Sequence, residues 1–180
     1  MSTETNSASR VPGSSPETRL AELGYPLRLP PTGARRPYEP LVQVGNIVYG
    51  SGNTSMDRHA GVVFAGRVGG PDEVDGSAGH GATVDLETAK ERARIATLNA
   101  LAGLKAHLGE LTRVKRFVRL TGYVNSNADF TQQADVINAA SELLLAAFGD
   151  KGRHARSALG VAQLPGGASV EVEVIVEVEA

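Results

Sequence analysis

The closing stretch His154-Ala-Arg-Ser-Ala-Leu-Gly-Val-Ala-Gln-Leu-Pro-Gly-Gly-Ala-Ser-Val-Glu-Val-Glu-Val-Ile-Val-Glu-Val holds the residues best suited to chemistry. Arg156 offers a planar guanidinium that can grip a carboxylate through two charge-assisted hydrogen bonds. Beyond the turn at Pro165-Gly-Gly, Glu171, Glu173 and Glu177 alternate with Val170, Val172, Val174, Val176 and Val178. A carboxylate such as Glu171 can orient or deprotonate a water. Successive strand side chains face opposite ways, so this run has a valine face to bury and a carboxylate face. Arg156 to Gln163 reads as a second strand, and Pro-Gly-Gly suits a hairpin between the two. That hairpin would set the guanidinium and the carboxylates together in one polar site. The same pattern also describes a surface strand arginine and a solvated carboxylate face.

Two further polar residues stand out. Asn138 is a poor helix former inside a helical stretch, which hints at a polar task, with a plain exposed position as the equal alternative. Tyr38 follows a proline-rich segment and reads as either a ligand cover or a packing aromatic. His59, His80, His107 and His154 share no metal-like spacing. His154 stands close to Arg156, although a surface histidine is the plainer reading.

At 180 residues the chain is long enough for one domain with a substantial core. A formal net charge of -2 gives no drive toward nucleic acid or membrane. The basic runs Lys105 to Arg119 and Lys151 to Arg156 lack a repeated interleaving of aromatic residues for base stacking, with Phe117 alone among them. With no cysteine, disulfides and thiolate chemistry are excluded, and a reducing cytoplasm fits. No apolar run approaches the roughly 20 residues of a membrane helix, and no secretory signal is expected.

The elements that would position these residues follow from pattern. Residues 1–19 read as a disordered tail, and 20–180 as a single domain. A short helix is expected over Leu20 to Tyr25. Val42 to Thr54 reads as a hairpin turning at Gly45-Asn46, with Gly50 and Gly52 marking a bulge or a close backbone approach. Met56 to Gly81 is a long glycine-rich loop with a short strand at Val62 to Ala65. Asp85 caps a helix that ends at Gly109. Val114 to Val124 is a strand with Val118, Leu120 and Val124 on one face. A second long helix runs from Asp129 to Phe148, stopped by Gly149. Hairpin, helix, strand, helix and hairpin make an α/β (α+β) domain, with two helices layered on a mixed sheet. If both helices cover one face, the other is open and invites a homo-oligomer.

Several ordered motifs resemble the Rid family (YjgF/YER057c/UK114, also called L-PSP endoribonuclease-like), in a less-studied branch. They are Pro37-Tyr38, Gly45-Asn-Ile-Val-Tyr-Gly-Ser-Gly52, the alanine-rich helix, Arg113-Val-Lys-Arg-Phe-Val-Arg-Leu-Thr-Gly-Tyr-Val124, and the closing Ala-Arg156-Ser…Leu-Pro165…Glu171. The resemblance implies a chorismate-mutase-like fold and a homotrimer with ligand clefts between subunits. It implies hydrolysis of reactive enamines or 2-imino acids to 2-oxo acids and ammonia, with no metal or other cofactor. Arg156 would bind the substrate carboxylate and Glu171 would activate water. Tyr38, Asn138 and the Ser51-Gly52 backbone would line the cleft. The family commonly has Ser-Gly-Gln-x-Pro where this chain has Ser51-Gly52-Asn53-Thr54-Ser55, and often a cysteine at the position of Ala158. These departures motivate an alternative, a non-catalytic ligand-binding regulatory trimer. The L-PSP name adds endoribonuclease activity, which the charge pattern does not favour.

Overall fold

A computed structural model of the chain describes residues 14–31, 37–69 and 82–179. At its centre lies β10, Val170–Val178, whose valines are buried while the intervening residues are only partly covered. The strand sits between β8 (Val114–Asn125), antiparallel along its whole length, and β2 (Ile47–Gly50). The short β3 (Asn53–Thr54) pairs with Glu171 and Val172 on the same side as β2. The sheet order is β1-β2-β10-β8-β9, with β1 at Leu41–Val44 and β9 at Ala155–Val161.

The first hairpin forms as its sequence dictates: β1 and β2 turn at Gly45-Asn46, with Gly45 at φ 60°. The closing hairpin does not. β8 inserts between β9 and β10, pairing parallel with β9 and antiparallel with β10. Pro165–Gly167 is instead a single 3-10 turn in a connection that passes over β8.

Helix α2 (Leu86–Leu108) starts at Asp85, whose Oδ1 accepts from the Thr88 amide at 2.8 Å, and stops at Gly109 with φ 85°. Its buried stripe of Ala89, Ala93, Ala96 and Ala100 brings the helix close to the sheet. Helix α3 (Gln133–Phe148) begins four positions after the expected start at Asp129 and buries Val136, Ile137, Ala140, Leu144 and Ala147. The helix α1 (Pro16–Glu22) starts within the expected tail, because Ser15 caps it and Pro16 suits its first turn. Buried Leu20 anchors it, Arg19 Nη1 donates to the Ala147 carbonyl at 2.8 Å, and Glu17 pairs with Lys105 at 2.8 Å. The rest of the expected tail, residues 1–13, lies outside the described residues, as does 70–81 of the long loop. Within that loop β4 (Met56–Asp57) pairs with β5 (Val62–Val63), and β6 (Arg67–Val68) pairs with β7 (Thr83–Val84) just beyond it.

β8 differs from its expected facing. Its pairing with β10 shifts register between Ile175 and Val176 and again between Glu177 and Val178. Such bulges turn the strand, so Phe117 is buried and Val118 is 40% exposed. Phe117 then meets Phe148 edge to face, ring centroids 4.9 Å apart.

At Gly122, α3 touches the sheet directly: an added Cβ would lie 2.6 and 2.8 Å from Cγ1 and Cγ2 of Ile137. Both carbons are attached to the branched Cβ, whose stiff χ1 leaves them little freedom to yield. Gly122→Ala is expected to destabilise the fold by about 1–3 kcal/mol, read as a lowered denaturation midpoint with an unchanged m-value.

Candidate functional site

Paired residues on neighbouring strands share a face, so register decides which side chains can meet. Arg156 stands opposite Leu120, on the face that the helices cover. Glu171 stands opposite Tyr123, on the other face. The two groups expected in one polar site are therefore separated, within the chain, by the thickness of the sheet and the width of β8.

Two clusters result. In the first, Arg156 reaches under α3, where Nη1 donates to Asn138 Oδ1 at 2.8 Å and to Ser141 Oγ at 3.2 Å. Among the described residues nothing else accepts from this guanidinium, so its Nε–Nη2 edge keeps two parallel donors available. Ser141 also lies 3.0 Å from His154 Nε2, and His154 Nδ1 lies 2.7 Å from the Gly152 carbonyl. Sequence reading missed Ser141 and undervalued His154. Their signals were spacing: Ser141 is one helical turn from Asn138, and His154 is two strand positions before Arg156.

The second cluster surrounds Glu171. Gly52 packs so closely on its carboxylate that a β-carbon there would overlap Oε1. Ser51 is held in place from both ends, its amide and hydroxyl each donating at 2.9 Å to the carbonyls of Pro40 and Glu39. This ties the segment carrying Tyr38 to the start of β3. Tyr38 itself is exposed and borders a cavity of about 580 Å³ between α2 and the first hairpin, with Asn53, Arg58, Gly103 and His107. Asn99 on α2 donates to the carbonyls of Thr54 and Met56, at 3.1 and 3.0 Å, which fixes β3 beside Glu171.

The other glutamates are not simply solvated. Glu173 accepts from the Tyr123 hydroxyl at 2.9 Å, and Glu177 accepts from Asn46 at 3.1 Å and Lys115 at 2.7 Å. Burial, with the neighbouring Glu173 charge adding to it, raises the Glu171 pKa above the usual carboxylate range. Burial lowers the pKa of His154, and Arg156 adds to that, against the Gly152 hydrogen bond. Among the described residues no group of three or more His, Asp or Glu is placed to hold a metal ion. No helix of the described residues is long and apolar enough to cross a membrane.

The open sheet face, the helices on the opposite face and the glycine-shelved carboxylate together define a chorismate-mutase-like α/β domain. The family profile described as "YjgF/chorismate mutase-like, putative endoribonuclease" matches residues 17–178, and the chain belongs to that family. The protein TCP17 of Trypanosoma cruzi is 49% identical over 98 residues, a match spanning 54% of this chain and 61% of that protein's length. The crystal structure of Atu1372 from Agrobacterium tumefaciens is 37% identical, covers 91% of this chain and 92% of its own, and superposes with a TM-score of 0.78. The E. coli protein TdcF, solved with bound serine, shares the fold at 21% identity and a TM-score of 0.54, over 86% of this chain and 95% of its own.

The raised Glu171 pKa has a thermodynamic corollary. A carboxyl whose folded pKa exceeds its unfolded value stabilises the fold below the unfolded pKa, and that contribution is lost as pH rises through the folded pKa. Glu171→Gln removes the buried charge. The melting temperature of this variant should exceed wild type at pH 7.5, and the gain should shrink toward pH 4.

Proposed function

We propose that this protein is an enamine/imine deaminase, hydrolysing 2-imino acids to 2-oxo acids and ammonia in clefts between the subunits of a homotrimer. The observation that carries the reading is the Arg156 fork: Nη1 donates to Asn138 and Ser141, and among the described residues no acceptor is paired with Nε or Nη2, the two parallel donors that a carboxylate would take. Such a carboxylate lies next to the electrophilic carbon of a 2-imino acid.

The opposite placement of Arg156 and Glu171 supports a shared site. Neither group completes the chemistry within its own subunit, so a second copy must bring its Glu171 cluster to the Arg156 cluster of the first. The open face has the surface for such contact, with Val42, Val44 and Tyr49 exposed at 50%, 64% and 48% around Ile175. These side chains would be covered in the trimer.

In the proposed reaction the substrate is the iminium, C=NH2+. Water adds its oxygen to that carbon and Glu171 takes the released proton, forming a carbinolamine. Glu171 then returns the proton to the nitrogen, the C–N bond breaks to release ammonia, and Glu171 takes the hydroxyl proton as the carbonyl of the 2-oxo acid forms; ammonia picks up that proton to leave as ammonium. A carboxyl with a raised pKa suits both halves, because it is a better base than a solvated one while its conjugate acid is still acidic enough to return the proton. Tyr38 and the Ser51-Gly52 backbone line the cleft. The positive charge is carried by the substrate, so the reaction calls for no metal.

A ribonuclease reading has less to rest on. In the basic run, Lys115 is paired with Glu177, Arg113 donates to the Leu108 carbonyl at 3.3 Å, and Arg119 donates to Thr121 and Ser157.

The test uses imines generated in place by an amino-acid oxidase, with ammonia release followed. Arg156→Ala should lose about two to three decades in apparent affinity, matching about 2–5 kcal/mol for an unpaired charged contact. Arg156→Lys should not rescue it, because an ammonium cannot keep two parallel bonds in register. Wild-type protein that adds nothing to the buffer rate, across small and bulky imines, would overturn the enzyme reading.

A further inference from the structure

Behind Arg156 lies a chain of hydrogen bonds whose directions are all fixed by chemistry. The Gly152 carbonyl only accepts, so the His154 Nδ1 facing it at 2.7 Å carries a hydrogen. The neutral ring therefore presents a lone pair at Nε2, and the Ser141 hydroxyl donates to it across 3.0 Å. Ser141 Oγ in turn accepts from Arg156 Nη1 at 3.2 Å, and Asn138 Oδ1 accepts from the same nitrogen at 2.8 Å. The His154 Nδ1, Ser141 Oγ and Arg156 Nη1 donors are all matched while His154 is neutral.

A second proton on His154 changes the pattern. Nε2 becomes a donor, Ser141 Oγ accepts from both His154 and Arg156, and the serine's own proton is released toward another acceptor. A second positive charge then lies one hydroxyl away from the guanidinium. Both changes are unfavourable in an empty site and favourable once an anion sits on Arg156.

We propose that Arg156, Ser141 and His154 form a proton-linked anion receptor, in which binding a small carboxylate at Arg156 takes up a proton at His154. This deepens the proposed site and rests on Arg156 as the carboxylate anchor. Other charges around the ring are engaged or turned away. Asp150 pairs with Arg153 at 3.3 Å, Lys151 donates to the Val114 carbonyl at 2.9 Å, Lys115 pairs with Glu177 at 2.7 Å, and Glu142 on α3 is exposed. Arg156 remains the charge that acts on the ring through space, and it acts in the direction an anion would reverse. Linkage is reciprocal, so acidification must tighten carboxylate binding by the same factor that binding favours protonation.

The experiment is calorimetric titration of the full chain with pyruvate, in two cationic buffers of different ionisation enthalpy. Wild type should take up a fraction of a proton per pyruvate near pH 6.5, and its Kd should fall by about fivefold or more from pH 8 to pH 5.5. His154→Gln should bind pyruvate with both effects reduced, the remainder belonging to Glu171, and Ser141→Ala should keep binding with a diminished pH slope. An equal pH slope in His154→Gln and wild type would overturn the receptor. Proton-linked pyruvate binding without imine turnover would overturn the deaminase reading alone, and turnover with pH-independent binding would overturn the receptor alone. No pyruvate binding at any pH would overturn both.

Discussion

The pairing of β8 with β10 is the constraint on which the rest depends. It runs from Val170 opposite Val124 to Val178 opposite Val114, and it puts the valine face of one strand beside Leu120, Gly122 and Val124 of the other. That shared apolar surface is what α2 and α3 cover. Since side chains alternate, burying the valines necessarily turns Glu171, Glu173, Ile175 and Glu177 to the other side. A one-residue slip would bury three carboxylates, so the register is fixed strongly. The candidate catalytic carboxylate is thus positioned by the same packing that holds the fold together.

β8 has a second partner, and this gives the two clusters their separation. Pairing parallel with β9 sets Arg156 level with Leu120, beneath α3, where a helix can supply Asn138 and Ser141 as acceptors. On the open face the same position would have met only strand neighbours. One long strand thus divides the polar residues between a helix-covered edge and an open face, and the proposed assembly reunites them across a subunit boundary.

Local features were legible in the sequence, and non-local ones were not. The Gly45-Asn46 hairpin, the Asp85 cap, the stops at Gly109 and Gly149 and the valine alternation of β10 each depend on a few neighbouring residues, and each formed as read. The closing hairpin failed because Pro-Gly-Gly fits a two-strand turn and a longer connection equally well. Only the hydrophobic demand of β8 for partners on both sides decides between them. Phe117 and Val118 exchanged places because a bulge leaves no mark in a one-dimensional pattern. Among the candidate residues, Arg156, Glu171 and Asn138 stood out by residue type and pattern, and the family resemblance assigned them roles in a cleft with Ser51 and Gly52. Ser141 belongs to no such motif and emerged only when α3 was laid on β9.

Gly52 carries a consequence for how such a chain can drift. The carboxylate of Glu171 rests where a side chain is missing, so its position is defined by a void rather than by a bond. No residue with a β-carbon can enter at 52 while Glu171 keeps its rotamer. The two positions are therefore tied in descent: a lineage that abandons glycine must also move or replace the glutamate.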